Sequence, residues 1–145
     1  MSRVRNELSE KNQFKLSKHR FLELKHMCLQ YSEWKLKLIE LNERYFRSGG
    51  LIRVCSDKDR LCTECNDISD LIARREEYVR KIELIEKAAY ETDSVIGYYI
   101  LYAVTHDVGY EYLSMRMNIP CCRNVYYKLY REFFWRLSQK LHIIL

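Results

Sequence analysis

The chain has 145 residues, with 25 Lys or Arg against 20 Asp or Glu, a formal charge of +5 and 48% hydrophobic residues. A chain of this length removes roughly two thirds of its extended surface from water, so one compact domain, or one with a helical arm, forms without disulfide or metal. With 4 Gly and 1 Pro there is too little turn chemistry for a sandwich or barrel of short strands, and an all-α fold is expected.

Residues 1–16 show no period and read as a flexible tail. Their polar start, MSRVRNELSEKNQ, lacks the apolar block of a secretory signal, so a cytoplasmic protein is expected. From Phe21 the apolar residues Leu24, Cys28, Tyr31, Trp34, Leu38, Leu41 and Tyr45 recur in steps of three and four, which predicts an amphipathic helix. Ser17 is its natural N-cap, Ser32 marks a second cap or a kink, and Ser48-Gly49-Gly50 ends it. Residues 49–66 lose the period and are expected to be a cysteine-bearing loop.

A second helix follows, with Leu71, Arg75, Tyr78, Ile82, Ile85 and Ala89 at heptad spacing and Glu76/Arg80, Glu77/Lys81 and Glu83/Lys87 at i,i+4. Its seam suits a neighbouring helix, within the chain or across a coiled-coil-like homodimer or larger homo-oligomer. Asp93 or Ser94 caps a third helix, Val95 to Val104, whose run VIGYYILYAV predicts burial on most sides. The charge-free stretch from Ser94 to His106 is well short of the roughly 20 apolar residues that span a bilayer, so no membrane helix is expected. After His106-Asp107-Val108-Gly109 come a short helix, about Tyr110 to Met117, the turn Asn118-Ile119-Pro120, and a long last helix from about Cys121 to Gln139. Five helices in three parts result: the tail, a helical region over 17–92, and a C-terminal region over 93–145.

Charge is uneven along the chain. Residues 1–48 carry 11 basic and 6 acidic groups, 49–109 carry 8 and 12, and 110–145 carry 6 and 2. Basic ends flanking an acidic middle fit a surface that meets a polyanion. The short helix, turn and long helix near the C-terminus have the layout of a helix-turn-helix DNA reader. Leu113, Ser114, Met117, Asn118 and Ile119 fill its anchor, small-residue, anchor, turn and apolar places in order. The next anchor, Val125, falls one position late, which implies a longer turn or a rotated second helix.

Periodicity in the last helix gives an inner face of Cys122, Val125, Tyr126, Leu129, Phe133 and Leu137. The outer face is then Arg123, Asn124, Tyr127, Lys128 and Arg131. Arg can donate two hydrogen bonds to guanine and Asn can pair with adenine, while Lys and Tyr reach phosphates. Arg116, Lys128, Arg131 and Lys140 are the expected phosphate contacts. About five such contacts imply a slope of log affinity against log salt near −4 to −5.

In KLSKHRFLELKHMCLQYSEWKLKLIEL, RREEYVRKIELIEKAA and YYILYAVTHDVGYEYLSMRMNIPCCRNVYYKLYREFFWRL, between Leu16 and Leu141, the chain resembles the RinA family of transcriptional activators from phages of Firmicutes. Ser32 stands where related sequences often have Pro. The resemblance implies activation of late or packaging genes through a C-terminal helix-turn-helix similar to that of sigma factors, with host RNA polymerase as a further partner. It assigns the recognition-helix role to Arg123, Asn124, Tyr127, Lys128 and Arg131.

Other chemistry is thinly encoded. Among Cys55, Cys62 and Cys65 only the last pair has the spacing of a zinc knuckle, and zinc needs four ligands, so Cys28, His26 or another chain would have to complete the set. No cofactor is expected. Cys121, beside a helix start, is the better candidate of the pair Cys121-Cys122 for a lowered thiol pKa. His19, His26, His106 and His142 lack metalloprotease spacing and no glycine-rich phosphate loop is present, so enzymatic activity is not expected. The C-terminal tyrosines suit packing, with base stacking as the alternative. Two further functions stay open: a ring-forming packaging protein similar to a small terminase subunit, and an inhibitor of a host protein that uses Glu76, Glu77, Glu83, Glu86 and Glu91.

Overall fold

A computed structural model describes residues 15–47 and 63–144, with 63–67 and 143–144 described by backbone only. The described residues form α1 (Lys18–Leu29), α2 (Tyr31–Arg47), α3 (Thr63–Thr92), α4 (Ile96–His106), α5 (Tyr110–Met117) and α6 (Arg123–Ile144), and no strand. The all-α expectation holds. Ser17 caps α1 as expected, its Oγ accepting from the Arg20 N–H at 3.2 Å. The break between α1 and α2 falls at Gln30, two residues before Ser32. α3 is longer at its start than its side-chain period predicts, because it begins at Thr63 inside the expected loop.

The helices group into two compact units, Met1–Tyr31 with Glu83–Leu145, and Ser32–Ile82. The division therefore does not follow the sequence boundary at 92/93, since α1 packs on α4 and α6 and belongs with the C-terminal helices. In this first unit α1, α4 and α6 meet pairwise and α5 lies on α4. Phe21, Leu24 and Cys28 of α1, Ile100 and Val104 of α4, and Phe133, Phe134 and Leu137 of α6 are buried. The centre is aromatic: Phe21 meets Phe134 edge-on at 5.0 Å, and Phe134 meets Tyr130 at 4.9 Å. Arg20 Nε donates to Ser138 Oγ at 3.2 Å, and Lys140 pairs with Glu91 of α3 at 2.8 Å.

α4 is buried over more than half of its circumference, as expected, through Ile96, Gly97, Ile100, Ala103, Val104 and Thr105, with Tyr98 and His106 exposed. Asp93 Oδ1 accepts from the N–H groups of Val95 and Ile96, each at 2.8 Å, so of the two expected candidates Asp93, not Ser94, is the cap. Gly97 has a structural reason that its sequence context hides. A Cβ there would lie 2.5 Å from the Ala89 carbonyl oxygen of α3, so only glycine permits this approach.

In the second unit Lys81 lies 5.5 Å from the Trp34 ring, and Arg75 Nε donates to Asn42 Oδ1. Eight residues forward on α2 answer six residues back on α3, so the two segments run antiparallel. Glu77–Lys81, at 3.1 Å, forms as the i,i+4 pattern predicts.

Candidate nucleic-acid interface

The site begins with the turn between α5 and α6. Leu113 is fully buried, and its carbonyl accepts from the Asn118 N–H and, at 3.2 Å, from the Ile119 N–H. Asn118 takes φ 50° and ψ 51°, the left-handed conformation that Asn tolerates better than most residues and that ends a helix sharply. Ile119 then turns back into the core. Tyr110, the first residue of α5, donates its hydroxyl to the Cys121 carbonyl at 2.8 Å and sets its ring 5.6 Å from Tyr126. The start of α5 is thereby tied to the start of α6.

α6 starts at Arg123 rather than near Cys121, so residues 118–122 form the turn. The late anchor is explained by this longer turn and also by a different anchor. Val125 is 45% exposed while Tyr126 is buried, so Tyr126 takes the inward place expected of Val125. Cys122, expected inside, is exposed. Tyr127, expected on the outer face, is 8% exposed and packs edge-on against Tyr126 and Tyr130. The cause is the breadth of the buried stripe: Tyr126-Tyr127, Tyr130, Phe133-Phe134 and Leu137 cover more of the helix than a single row. Paired aromatics four and three residues apart were the available signal for its centre.

The outer face of α6 therefore presents Arg123, Asn124, Val125 and Lys128, all exposed. Arg123 lies 3.7 Å from Glu111 and 5.6 Å above the Tyr127 ring, which steers the guanidinium without burying it. Arg116 is exposed on α5. Arg131 is half-buried, and the loss of water lowers its guanidinium pKa from the usual value. Lys140, held by Glu91, stands with its side chain 25% exposed. Of the expected contact residues, Arg116, Arg123, Asn124 and Lys128 are open to solvent, and Tyr127 is not.

The exposed tyrosines, Tyr90, Tyr98 and Tyr112, lie elsewhere, and Tyr102 is half-buried. Tyr102 stacks on His106 at 4.0 Å and on Tyr112 at 6.1 Å, so both neighbours of its ring come from the chain itself. Among cysteines, Cys55 and Cys62 lie outside the described residues and the Cys65 side chain is not described. Among the described residues no group of three His, Cys, Asp or Glu is arranged to hold a metal. Cys28 is wholly buried and its thiol is pushed up by burial, so it offers no thiolate. Cys121 differs from expectation: burial first, then the nearby Cys122 and Asp93, raise its thiol pKa. The helix start that was expected to lower it lies two residues further on.

No helix among the described residues is long and apolar enough to cross a membrane. No protein-family model, no curated protein and no solved structure matches the chain.

Proposed function

We propose that this chain binds duplex DNA sequence-specifically through α5, the turn and α6, and regulates phage genes as the resemblance to the RinA activators implies. The observation that carries the reading is the first two turns of α6. Arg123, Asn124 and Lys128 stand together in solvent on a helix whose opposite side is fixed by Tyr126, Tyr130 and Phe133. A groove reader needs this division, because base contacts come from the first turns of a helix held rigidly from behind. Arg123 and Asn124 carry the base-edge hydrogen bonds; Lys128 and Arg116 carry phosphate. Selection from random duplex DNA at two salt concentrations, followed by a gel shift on the selected site, tests it. Retention of one sequence class at the higher salt supports reading. Equal binding of all sequences, or none, rejects it.

A second reading rests on α3. Glu83, Glu86, Lys87, Tyr90 and Glu91 line a shallow, predominantly acidic depression, which would suit a basic partner protein. Capture of one stoichiometric host protein, lost on Glu83→Lys and accompanied by no retarded DNA, would favour inhibition of that protein.

A further inference from the structure

We infer that the outer face of α2 is a self-association seam on which a second copy of this chain lies antiparallel. The inference does not depend on the DNA reading. α2 already buries one side, through Trp34 and Leu41. On its other side Leu36 is 68% exposed, Ile39 55% and Phe46 77%. Scattered exposed apolar residues need no explanation, but these fall on one line. Ser32, Leu36, Ile39, Glu43 and Phe46 follow one another at steps of four, three, four and three, the spacing of a two-helix seam. At 1.5 Å per residue the line runs about 21 Å along the helix.

Charge selects the occupant and its direction. The first turn of α2 carries Glu33 and its last turn carries Arg44 and Arg47. Glu33, Glu40 and Arg47 recur every seventh residue along one flank of the apolar line. An antiparallel second copy sets Glu33 beside Arg47 of that copy at both ends, and Leu36 opposite its Phe46. Glu40 then meets Glu40 at the middle, where each is accompanied by its own Lys37 at 3.6 Å. A parallel copy would pair Leu36, Ile39 and Phe46 each with itself, but it would press Glu43 against Glu43 in the seam and set Glu33 beside Glu33 and Arg47 beside Arg47 along the flank. Glu43 in the antiparallel arrangement lies beside Ile39, with Arg47 of its own helix 3.9 Å away.

Sedimentation velocity of the full chain over a wide concentration range tests the seam. A reversible monomer–dimer equilibrium is expected. Ile39→Lys and Phe46→Glu should each weaken it by about tenfold or more. Both side chains are solvent-exposed in the single chain, so the melting temperature of the dilute monomer should not move. Glu33→Arg and Arg47→Glu should each weaken the dimer, and the two together should restore it. The inference is overturned by a chain that stays monomeric throughout, or by a dimer indifferent to Ile39→Lys and Phe46→Glu. It is equally overturned if the charge-swapped double variant is no tighter than its parents. A monomer whose melting temperature falls on Phe46→Glu would assign the face to residues 48–62 of the same chain, and would also overturn it.

Discussion

Arg123, Asn124 and Lys128 differ in the job that each position allows. Replacing Arg123 or Asn124 by Ala should cost about 1 to 3 kcal/mol on the selected DNA site and little on random DNA. Lys128→Ala should weaken all sequences alike and reduce the magnitude of the salt slope by about 1. Titration of each variant against both DNAs separates these cases, and equal loss on both DNAs for Arg123→Ala would remove it from base reading. Tyr127 lies behind this face, so Tyr127→Phe should leave DNA affinity unchanged. The cysteines give an independent check on burial. Among the three cysteines whose side chains are described, iodoacetamide should modify exposed Cys122 first, Cys121 more slowly because its thiol pKa is raised, and Cys28 only on unfolding. Peptide mass mapping over time reads this order.

At the level of elements, Gly97 and two residues in the left-handed conformation, Asp107 after α4 at φ 53° and Asn118 after α5, hold the helices in register. Asn118 at φ 50° makes Asn118→Gly neutral or better, whereas Asn118→Ala should destabilise by about 1 to 2 kcal/mol. Gly97→Ala forces α4 away from α3 and should destabilise by about 1 to 3 kcal/mol, as overpacking does. Urea denaturation measures both. If Gly97→Ala is as stable as the parent, the close approach of α4 to Ala89 is wrong. The breaks after His106 and after Met117 were legible, because Gly, Asn and Pro act through their own backbones, although the second turn runs on to residue 122 beyond the expected Pro120. The breadth of the buried face of α6 was not, because a single-row period in a run as aromatic as VYYKLYREFFWRL does not say that both rings of an adjacent pair enter the core.

For the whole molecule, two buried acids set the behaviour at high pH. The Cys28 thiol is raised by burial from an ordinary value of 9.0. The Tyr31 hydroxyl is raised from 10.0 by burial, by donating to the Glu86 carboxylate, and by the charges of Glu86 and Tyr90. Below pH 9 both groups keep their protons folded or unfolded. Above it the unfolded chain releases protons that the folded chain retains, so stability should fall as pH rises beyond 9. Thermal melts across that range should show the fall, and Cys28→Ala should flatten its lower part. Salt dependence also belongs to the whole surface. With Lys140 engaged by Glu91 and Arg131 half-buried, about three phosphate contacts remain, giving a slope near −3 rather than −4 to −5. A measured slope steeper than that would return Lys140 to the interface.

Composition and spacing determined the all-helical class, the Ser17 cap, the breaks, and the i,i+4 pair of Glu77 with Lys81, since each depends on residues within a turn of one another. Only the tertiary structure decided that α1 joins the C-terminal helices, that Val125 points outward and Tyr127 inward, that Asp93 rather than Ser94 caps α4, and that Lys140 is paired. Those outcomes depend on residues far apart in the chain competing for one core, and a local period carries no record of which of them prevails.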